Sequence, residues 1–258
     1  MQLIYREYGH YQEQHSTLVF LHGLLGSSAN WHGVARALSS HFHILVPDLR
    51  NHGQSPHSED ISYSAMARDL AGFLDDQGLE SATLIGHSMG GKVAMWLALT
   101  QPELVERLVV VDIAPVSYPN RFGGIFDALQ SVDLPRVKHR RHADQMLADR
   151  LTDGELRQYL LQNLMLSHGQ WSWRMNLQVL AGEMEQIIGF PDLADTAPYL
   201  GATLFIYGGN SNYITAEYES RIHDLFPYAR LRSIAGAGHW VYAEQPKLFQ
   251  AALTGFLG

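Results

Sequence analysis

The sequence contains no cysteine, which excludes disulfide bonds, thiolate zinc sites and a cysteine nucleophile. Charge is also sparse: charged residues make up 17% of the 258 residues, and the formal net charge is −8. Phosphate binding requires clustered Lys and Arg, and no such cluster is apparent. We therefore expect no nucleic-acid partner.

Long hydrophobic runs are missing as well. No apolar run approaches the roughly 18 residues that a membrane-spanning helix needs, so we expect no membrane partner. Residues 1–8 alternate like a strand and lack the basic start and apolar stretch of a secretory signal. We therefore expect a cytoplasmic protein. The 46% hydrophobic content is typical of a compact enzyme with one large core.

Short apolar runs of buried-strand length alternate with helical patterns along most of the chain. The runs lie at residues 17–21, 43–46, 82–85, 108–111 and 203–207. This rhythm predicts an α/β protein with a mainly parallel central sheet and helices on both faces. Polar–apolar alternation over residues 3–8 and 11–15 predicts an edge hairpin.

The rhythm stops between residues 116 and 200, where apolar side chains recur at helical intervals. We interpret this segment as a helical cap inserted into a core formed by residues 1–115 and 201–258. In open parallel sheets, ligands bind beyond the carboxyl ends of the strands. We therefore expect the functional site to lie there, beneath the cap.

A Gly-x-Ser-x-Gly pattern at residues 86–90 separates a predicted strand from a predicted helix. In that context the glycines allow a tight turn that exposes the hydroxyl of Ser88 at the start of the helix. We predict that Ser88 is a nucleophile. A serine hydroxyl needs a base, and His239, in a glycine-flanked loop after a late strand, is the natural choice.

Two loops near these residues carry further polar or glycine-rich sequence. Glycines after the run at residues 17–21 allow a main-chain N–H near Leu24 to face a developing oxyanion, although an ordinary glycine turn explains them equally well. Asp48, Arg50 and His52 are interpreted as structural residues that fix their own loop.

Four stretches carry a resemblance to a known family, namely residues 48–53, 86–92, 111–115 and 235–240. Together with the inserted cap, they resemble the α/β-hydrolase superfamily. More narrowly, they resemble the small bacterial carboxylesterases of the YbfF type, and the resemblance covers essentially the whole chain. It implies that the backbone N–H groups of Leu24 and Met89 form the oxyanion site.

The acid that orients the histidine departs from the usual pattern of the superfamily. Most members carry it in the loop after the next-to-last strand, but here residues 207–213 contain no carboxylate. Asp112 ends the strand that follows the Ser88 helix, and it preserves the order Ser, Asp, His. We predict Asp112 as the acid, with a turn-capping role as its structural alternative and with Glu217 and Asp195 as alternative acids.

These residues predict a serine carboxylic-ester hydrolase that acts on short- to medium-chain acyl esters through an acyl-enzyme. No metal or organic cofactor is required, and the expected partner is a small-molecule ester; protein partners stay open. Candidate pocket residues are His22, Gly23, Trp240, Phe126 and Tyr159. An acyl thioesterase or a carbon–carbon bond hydrolase would use the same three residues. A non-catalytic ligand-binding module is a more distant alternative.

Overall fold

A seven-stranded sheet forms the centre of the protein in the computed structural model, which describes residues 1–11, 16–193 and 196–258. A separate two-stranded hairpin pairs β6 with β7. The strands in chain order are β1 (Tyr5–Tyr8), β2 (Leu18–Leu21), β3 (Ile44–Pro47), β4 (Ala82–His87), β5 (Val105–Val111), β6 (Leu164–Ser167), β7 (Gln170–Trp173), β8 (Ala202–Gly208) and β9 (Ala229–Ile234).

The strand order of the large sheet is β1-β3-β2-β4-β5-β8-β9. All neighbouring pairs are parallel except β1 and β3. The central strand β4 places Ile85 opposite Phe20 of β2 and Val109 of β5. The predicted mainly parallel α/β sheet is confirmed.

Helices cover both faces of the sheet, as predicted. The helices in chain order are α1 (His32–Leu38), α2 (Tyr63–Asp76), α3 (Met89–Thr100), α4 (Gly123–Gln130), α5 (Arg140–Ala148), α6 (Gly154–Leu161), α7 (Leu177–Gly182), α8 (Met184–Ile188), α9 (Ala216–Leu225), α10 (Val241–Glu244) and α11 (Pro246–Leu257). No helix in the described ranges is long and apolar enough to span a bilayer.

Two hydrophobic cores lie on opposite faces of the sheet because successive strand side chains point in opposite directions. Leu84 and Val110 belong to the core that contains α2, α3 and α9. Ile85 directly follows Leu84, and Val109 directly precedes Val110. Both belong to the other core, which contains α1 and α11. Helix α3 is buried almost all round, which agrees with its uniformly apolar sequence.

The first half of the predicted edge hairpin is a strand at the edge of the sheet. This strand, β1, pairs antiparallel with β3. Residues 12–15 of the predicted second half lie outside the described ranges. The pairing of β1 with β3 completes the hydrogen bonding of the outer edge of β3, and local alternation does not encode it.

The segment predicted as a helical cap contains α4 to α8, but it also contains the β6–β7 hairpin. His168 and Gly169 form the two-residue turn of this hairpin, with φ angles of 49° and 77°. Positive φ at both central positions suits the twist of a tight hairpin. Trp171 and Trp173 therefore lie on a strand and not between helices.

Candidate active site

Ser88 stands at the sharp corner between β4 and α3. Its backbone is at φ 53° and ψ −119°, a conformation rarely adopted by a residue other than glycine. Its N–H donates to the carbonyl of Val111 (3.0 Å), and its carbonyl accepts from the N–H of Lys92 (3.1 Å). The corner is thus held from both the neighbouring strand and the following helix.

The glycines of the motif are required by close backbone contacts. A Cβ atom on Gly86 would lie 2.3 Å from the carbonyl oxygen of Gly90. A Cβ atom on Gly90 would lie 2.5 Å from the carbonyl oxygen of His22. Both distances are shorter than any real side chain tolerates, so the spacing of the motif follows from the packing of the turn against β2.

Asp112 follows β5 directly and is completely buried, with a φ angle of 52°. Its Oδ1 accepts from the N–H of Gly208 (3.0 Å). Its Oδ2 accepts from Ser211 Oγ (2.5 Å) and from Nδ1 of His239 (2.7 Å). The three donors compensate the free-energy cost of burying this carboxylate, and the carboxylate holds the imidazole in one orientation.

The ring of His239 contacts two other rings. Tyr213 stacks on it with ring centroids 4.2 Å apart and an interplanar angle of 26°. His87 lies on it at 4.6 Å, and Nε2 of His87 donates to the carbonyl oxygen of His239 (2.9 Å). Burial lowers the pKa of His87 well below its usual value, so this neighbour is neutral and adds no competing positive charge.

The loop that carries His239 is clamped by one carboxylate. Oε2 of Glu244 accepts from the N–H of Gly238 (2.6 Å), and Oε1 accepts from the N–H of Trp240 (3.1 Å). Glu244 ends the short helix α10, so the carboxylate reaches back across the loop. Both peptide neighbours of His239 are thereby fixed.

This arrangement can activate a hydroxyl. Because Nδ1 of His239 donates to Asp112, the lone pair is on Nε2, which can accept a proton from Ser88. Within the described part of the chain, no hydrogen bond joins Ser88 Oγ to the ring. Such bonds are often long in enzymes without substrate and shorten in the reactive complex.

A cavity of about 270 Å³ lies over Ser88 and His239. Besides Ser88 and His239, four further predicted site residues line it, namely Gly23, Leu24, Tyr159 and Trp240. The other lining residues are His87, Arg121, Phe122, Ile125, Leu156 and Tyr213. A larger crevice of about 730 Å³ shares Tyr159 and Trp240 with this cavity. Ser88 therefore lies between the ends of the β-strands and the segment 116–200.

The structure does not bring the other two pocket candidates into this lining. His22 is fully buried; its Nδ1 donates to the carbonyl of Gly23 (2.9 Å) and its Nε2 accepts from the N–H of Leu49 (3.0 Å). It connects the loops after β2 and β3. Phe126 is 3% exposed and packs in the core, while Ile125 and Phe122, the residue before α4, line the cavity. Phe122 and Phe126 are four residues apart and lie on nearly the same side of the helix, so only tertiary packing decides which of the two reaches the cavity.

Leu24 and Met89, the predicted oxyanion residues, flank Ser88 in a second, smaller cavity of about 30 Å³. Met89 is the first residue of α3, so its N–H has no acceptor within the helix and lies at the positive end of the helix dipole. These positions suit stabilisation of negative charge next to Ser88.

Lys92 forms the floor of the smaller cavity and was not predicted to have a role. Its Nζ donates to the carbonyls of Ile188 (2.7 Å) and Gly189 (2.6 Å), at the end of α8. The ring of Tyr118 lies 5.0 Å from Nζ. Burial lowers the pKa of Lys92 to about 7, while the carbonyls favour its charged form. Lys92 thus joins α3 to the end of α8.

The two alternative acids lie elsewhere or are not described. Glu217 is exposed in the first turn of α9, and its carboxylate raises the pKa of Tyr218. Asp195 lies outside the described residues. Across the ranges that the structure describes, no group of three or more His, Asp or Glu side chains could hold a metal ion.

Sequence reasoning missed Ser211, Tyr213 and His87. Ser211 and Tyr213 belong to the loop after β8, for which the sequence predicted only the lack of a carboxylate. The position of this loop could have indicated their contacts, because β8 lies next to β5 and its loop must meet Asp112. His87 was visible within the Gly-x-Ser-x-Gly motif, but nothing local indicates that its ring contacts His239.

A mainly parallel sheet with a strand–turn–helix corner that carries a serine, beside an aspartate–histidine pair, is the architecture of the α/β hydrolases. The chain belongs to this family, because the family model described as alpha/beta hydrolase fold matches residues 16–246.

Relatives in this family include esterases and lipases. The chain is 45% identical to the sn-1-specific diacylglycerol lipase ABHD11 of Mus musculus, over 93% of this chain and 80% of that protein. It is 38% identical to Esterase YbfF of Escherichia coli, over 95% and 94% of the two chains. A solved marine microorganism esterase superimposes with a TM-score of 0.95 at 37% identity, covering 99% of both chains. The protein is an esterase/lipase-type hydrolase.

Proposed function

We propose that the protein is a serine carboxylesterase in which Ser88 attacks the acyl carbon and an acyl-enzyme forms. His239 takes the hydroxyl proton and returns it to the leaving alcohol, and Asp112 orients the imidazole. Water then resolves the acyl-enzyme by the same proton transfers. The observation that carries this proposal is the 2.7 Å bond from His239 to Asp112, beside a serine in strained conformation in the same cavity.

The N–H groups of Leu24 and Met89 receive the negative charge of the tetrahedral intermediate. Helix α3 begins at Met89, so its dipole adds to the stabilisation. Each donor of this kind typically contributes on the order of 10²–10³ in rate. No metal or organic cofactor enters these steps.

The preferred substrates are esters of short to medium acyl chains. The cavity of about 270 Å³ lies just below the size range of drug-sized ligand pockets, roughly 300–1,000 Å³. Its walls include Phe122, Ile125 and Leu156 from the segment 116–200, which we interpret as a cap domain over the core. We also propose that the protein is cytoplasmic and that its reacting partner is a small-molecule ester.

The test is the Ser88→Ala variant with p-nitrophenyl butyrate, compared with Ser40→Ala as a matched control on an exposed serine. We expect kcat to fall by roughly 10⁶ in the first variant and to stay unchanged in the second. Near-wild-type turnover by Ser88→Ala would rule out the mechanism. A fluorophosphonate probe should label the wild type and not this variant.

A substrate series then separates the members of the hydrolase class. It comprises p-nitrophenyl esters of two, four, eight and twelve carbons, an acyl thioester, a vinylogous β-diketone and a 1,2-diacylglycerol, the last because a relative is a diacylglycerol lipase. We expect the ester rates to be highest at short to medium length. Faster turnover of the thioester or of the diketone would reassign the substrate while keeping the same three residues.

A further inference from the structure

The loop of Leu24 and Leu25 is held by side chains from two parts of the chain. The carbonyl of Leu24 accepts from the hydroxyl of Tyr159 (3.0 Å), and the carbonyl of Leu25 accepts from Nδ2 of Asn163 (2.6 Å). The N–H of Leu25 donates to Nε2 of His52 (3.1 Å). Two of these three contacts come from the segment 116–200, more than 130 residues away along the chain.

Three successive peptide groups are fixed by these and neighbouring bonds. In the first, the carbonyl of Gly23 accepts from His22 and from the N–H of Gly26. In the second, both the carbonyl of Leu24 and the N–H of Leu25 are bonded, as described above. In the third, the carbonyl of Leu25 and the N–H of Gly26 are bonded. Among the described residues, the N–H of Leu24 is the member of this set that has no partner.

The backbone of this loop is strained, which makes the contacts necessary. Leu25 has a φ angle of 59°, in the left-handed region that side chains disfavour, and it is 2% exposed. Such conformations persist only where the surroundings over-determine them. Without the bonds from Tyr159 and Asn163, the second and third peptide groups would each keep one bond instead of two. The third group is the one whose N–H binds the carbonyl of Gly23, in the same peptide group as the N–H of Leu24, so loosening it would loosen the aim of that N–H.

Both donors are well suited to a fixed position. Asn163 is 2% exposed and follows α6, where its own N–H donates to the carbonyl of Leu160 (3.1 Å). Burial raises the pKa of Tyr159 well above its usual value, so the hydroxyl keeps its proton and remains a donor. Asn163 lies outside the linings of the cavities at Ser88, so a substitution there leaves the cavity walls unchanged.

We propose that Asn163 and Tyr159 are positioning residues that aim the N–H of Leu24 at the oxyanion. The proposal rests on the proposed function, in which Leu24 is an oxyanion donor. It gives the segment 116–200 a part in transition-state stabilisation in addition to enclosing the substrate. The oxyanion site is complete only while this segment is docked on the loop after β2.

The experiment compares Asn163→Leu and Tyr159→Phe with the wild type. Loss of a donor costs on the order of 10²–10³ in rate, so a displaced donor is expected to lower kcat about tenfold in each variant. KM should change less than about threefold, because the interaction develops in the transition state. Affinity for an alkyl trifluoromethyl ketone, which forms a tetrahedral oxyanion with the serine, should fall by the same factor as kcat/KM.

Tyr63→Phe is the matched control. It also deletes one tyrosine hydroxyl that joins the core to the segment 116–200, through a 2.6 Å bond to the carbonyl of Ile187, but it does not touch the loop. We expect a lower urea midpoint with unchanged kcat and inhibitor affinity. Circular dichroism of each variant checks folding, and Tyr159→Phe, which keeps the ring, serves if Asn163→Leu does not fold.

The outcomes separate the two proposals. The positioning proposal fails if both loop variants keep kcat and ketone affinity within twofold of wild type, or if Tyr63→Phe lowers them equally. In the latter case any loosening of the cap segment would be sufficient. If the wild type itself shows no ester turnover and no fluorophosphonate labelling, the proposed function fails first, and the kinetic comparison shows this before any loop variant is made.

Discussion

Replacing Asp112 with Asn tests the assignment of the acid, and the structure allows its effect to be worked out. The N–H of Gly208 binds Oδ1, and Nδ1 of His239 binds Oδ2. Asparagine has one oxygen and one NH₂ group, so it satisfies only one of these two donors. If its oxygen stays on Gly208, the NH₂ faces Nδ1, which must become an acceptor. The proton then moves to Nε2, and the ring cannot accept the proton of Ser88.

Two energetic effects contribute to the expected loss of activity in Asp112→Asn. Restoring the active tautomer would leave the N–H of Gly208 facing the NH₂ group, and an unsatisfied buried donor costs about 1–3 kcal/mol. Loss of the negative charge removes a charge-assisted bond to the imidazolium, which is stronger than its neutral counterpart by about 1–2 kcal/mol. The sum is about 2–5 kcal/mol, and at about 1.4 kcal/mol per tenfold it predicts a fall in kcat of roughly 30-fold to 4,000-fold. The upper end approaches the loss of about 10⁴ seen for this substitution in other triads.

The assay is steady-state hydrolysis of p-nitrophenyl butyrate by Asp112→Asn, with thermal melting to confirm folding. Glu217→Gln and Asp195→Asn are measured in parallel, since each removes one alternative acid, and both are expected to stay near wild type. A loss of less than tenfold for Asp112→Asn would refute the reasoning. So would a loss of 10² or more in either of the other two variants.

Three further predictions follow from burial and close packing. Burial lowers the pKa of Lys92 from 10.5 to about 7, so between these two pH values the unfolded chain binds a proton that the folded chain does not. The free energy of unfolding of the wild type, relative to that of Lys92→Met, should therefore rise between pH 7 and 10.5, by up to about 1.4 kcal/mol per pH unit. Urea titrations at several pH values measure this difference. Burial lowers the pKa of His52 to about 3, so below pH 6.5 this imidazole stays neutral in the folded state while it becomes protonated in the unfolded chain. The free energy of unfolding of the wild type should therefore fall as the pH drops below 6.5, and that of His52→Gln should fall less steeply. In Gly90→Ala the added Cβ would lie 2.5 Å from the carbonyl oxygen of His22, so the free energy of unfolding should fall by about 1–3 kcal/mol in chemical denaturation. An unchanged denaturation midpoint would contradict the packing argument.

The contacts of His239 show why a site is only partly predictable from sequence. Its place after a late strand, like that of Ser88 in a glycine motif, is a local signal. The partners that surround the ring are not. Tyr213 reaches it from the loop after β8 and His87 from the last position of β4, and their approach depends on the order of strands in the sheet.

The position of a residue along its helix sets a second limit. Phe126 was predicted to face the pocket, but it is buried in the core, while Phe122 and Ile125 line the cavity. Phe122 and Phe126 are four residues apart and lie on nearly the same side of the helix. Periodicity identifies this shared side, but the packing of neighbouring elements decides which of its residues reaches the cavity.

Local chemistry in the sequence determined the alternation of strands and helices and the glycine turn at Ser88, and it supports the prediction of His239 as base. The turn and the alternation follow from steric or periodic rules that act over a few residues. Only the tertiary structure decided that Asp112 contacts His239, that β1 pairs with β3, and that Asn163 holds the carbonyl of Leu25. These contacts join residues far apart in the chain, so their geometry depends on how the whole sheet and the segment 116–200 pack.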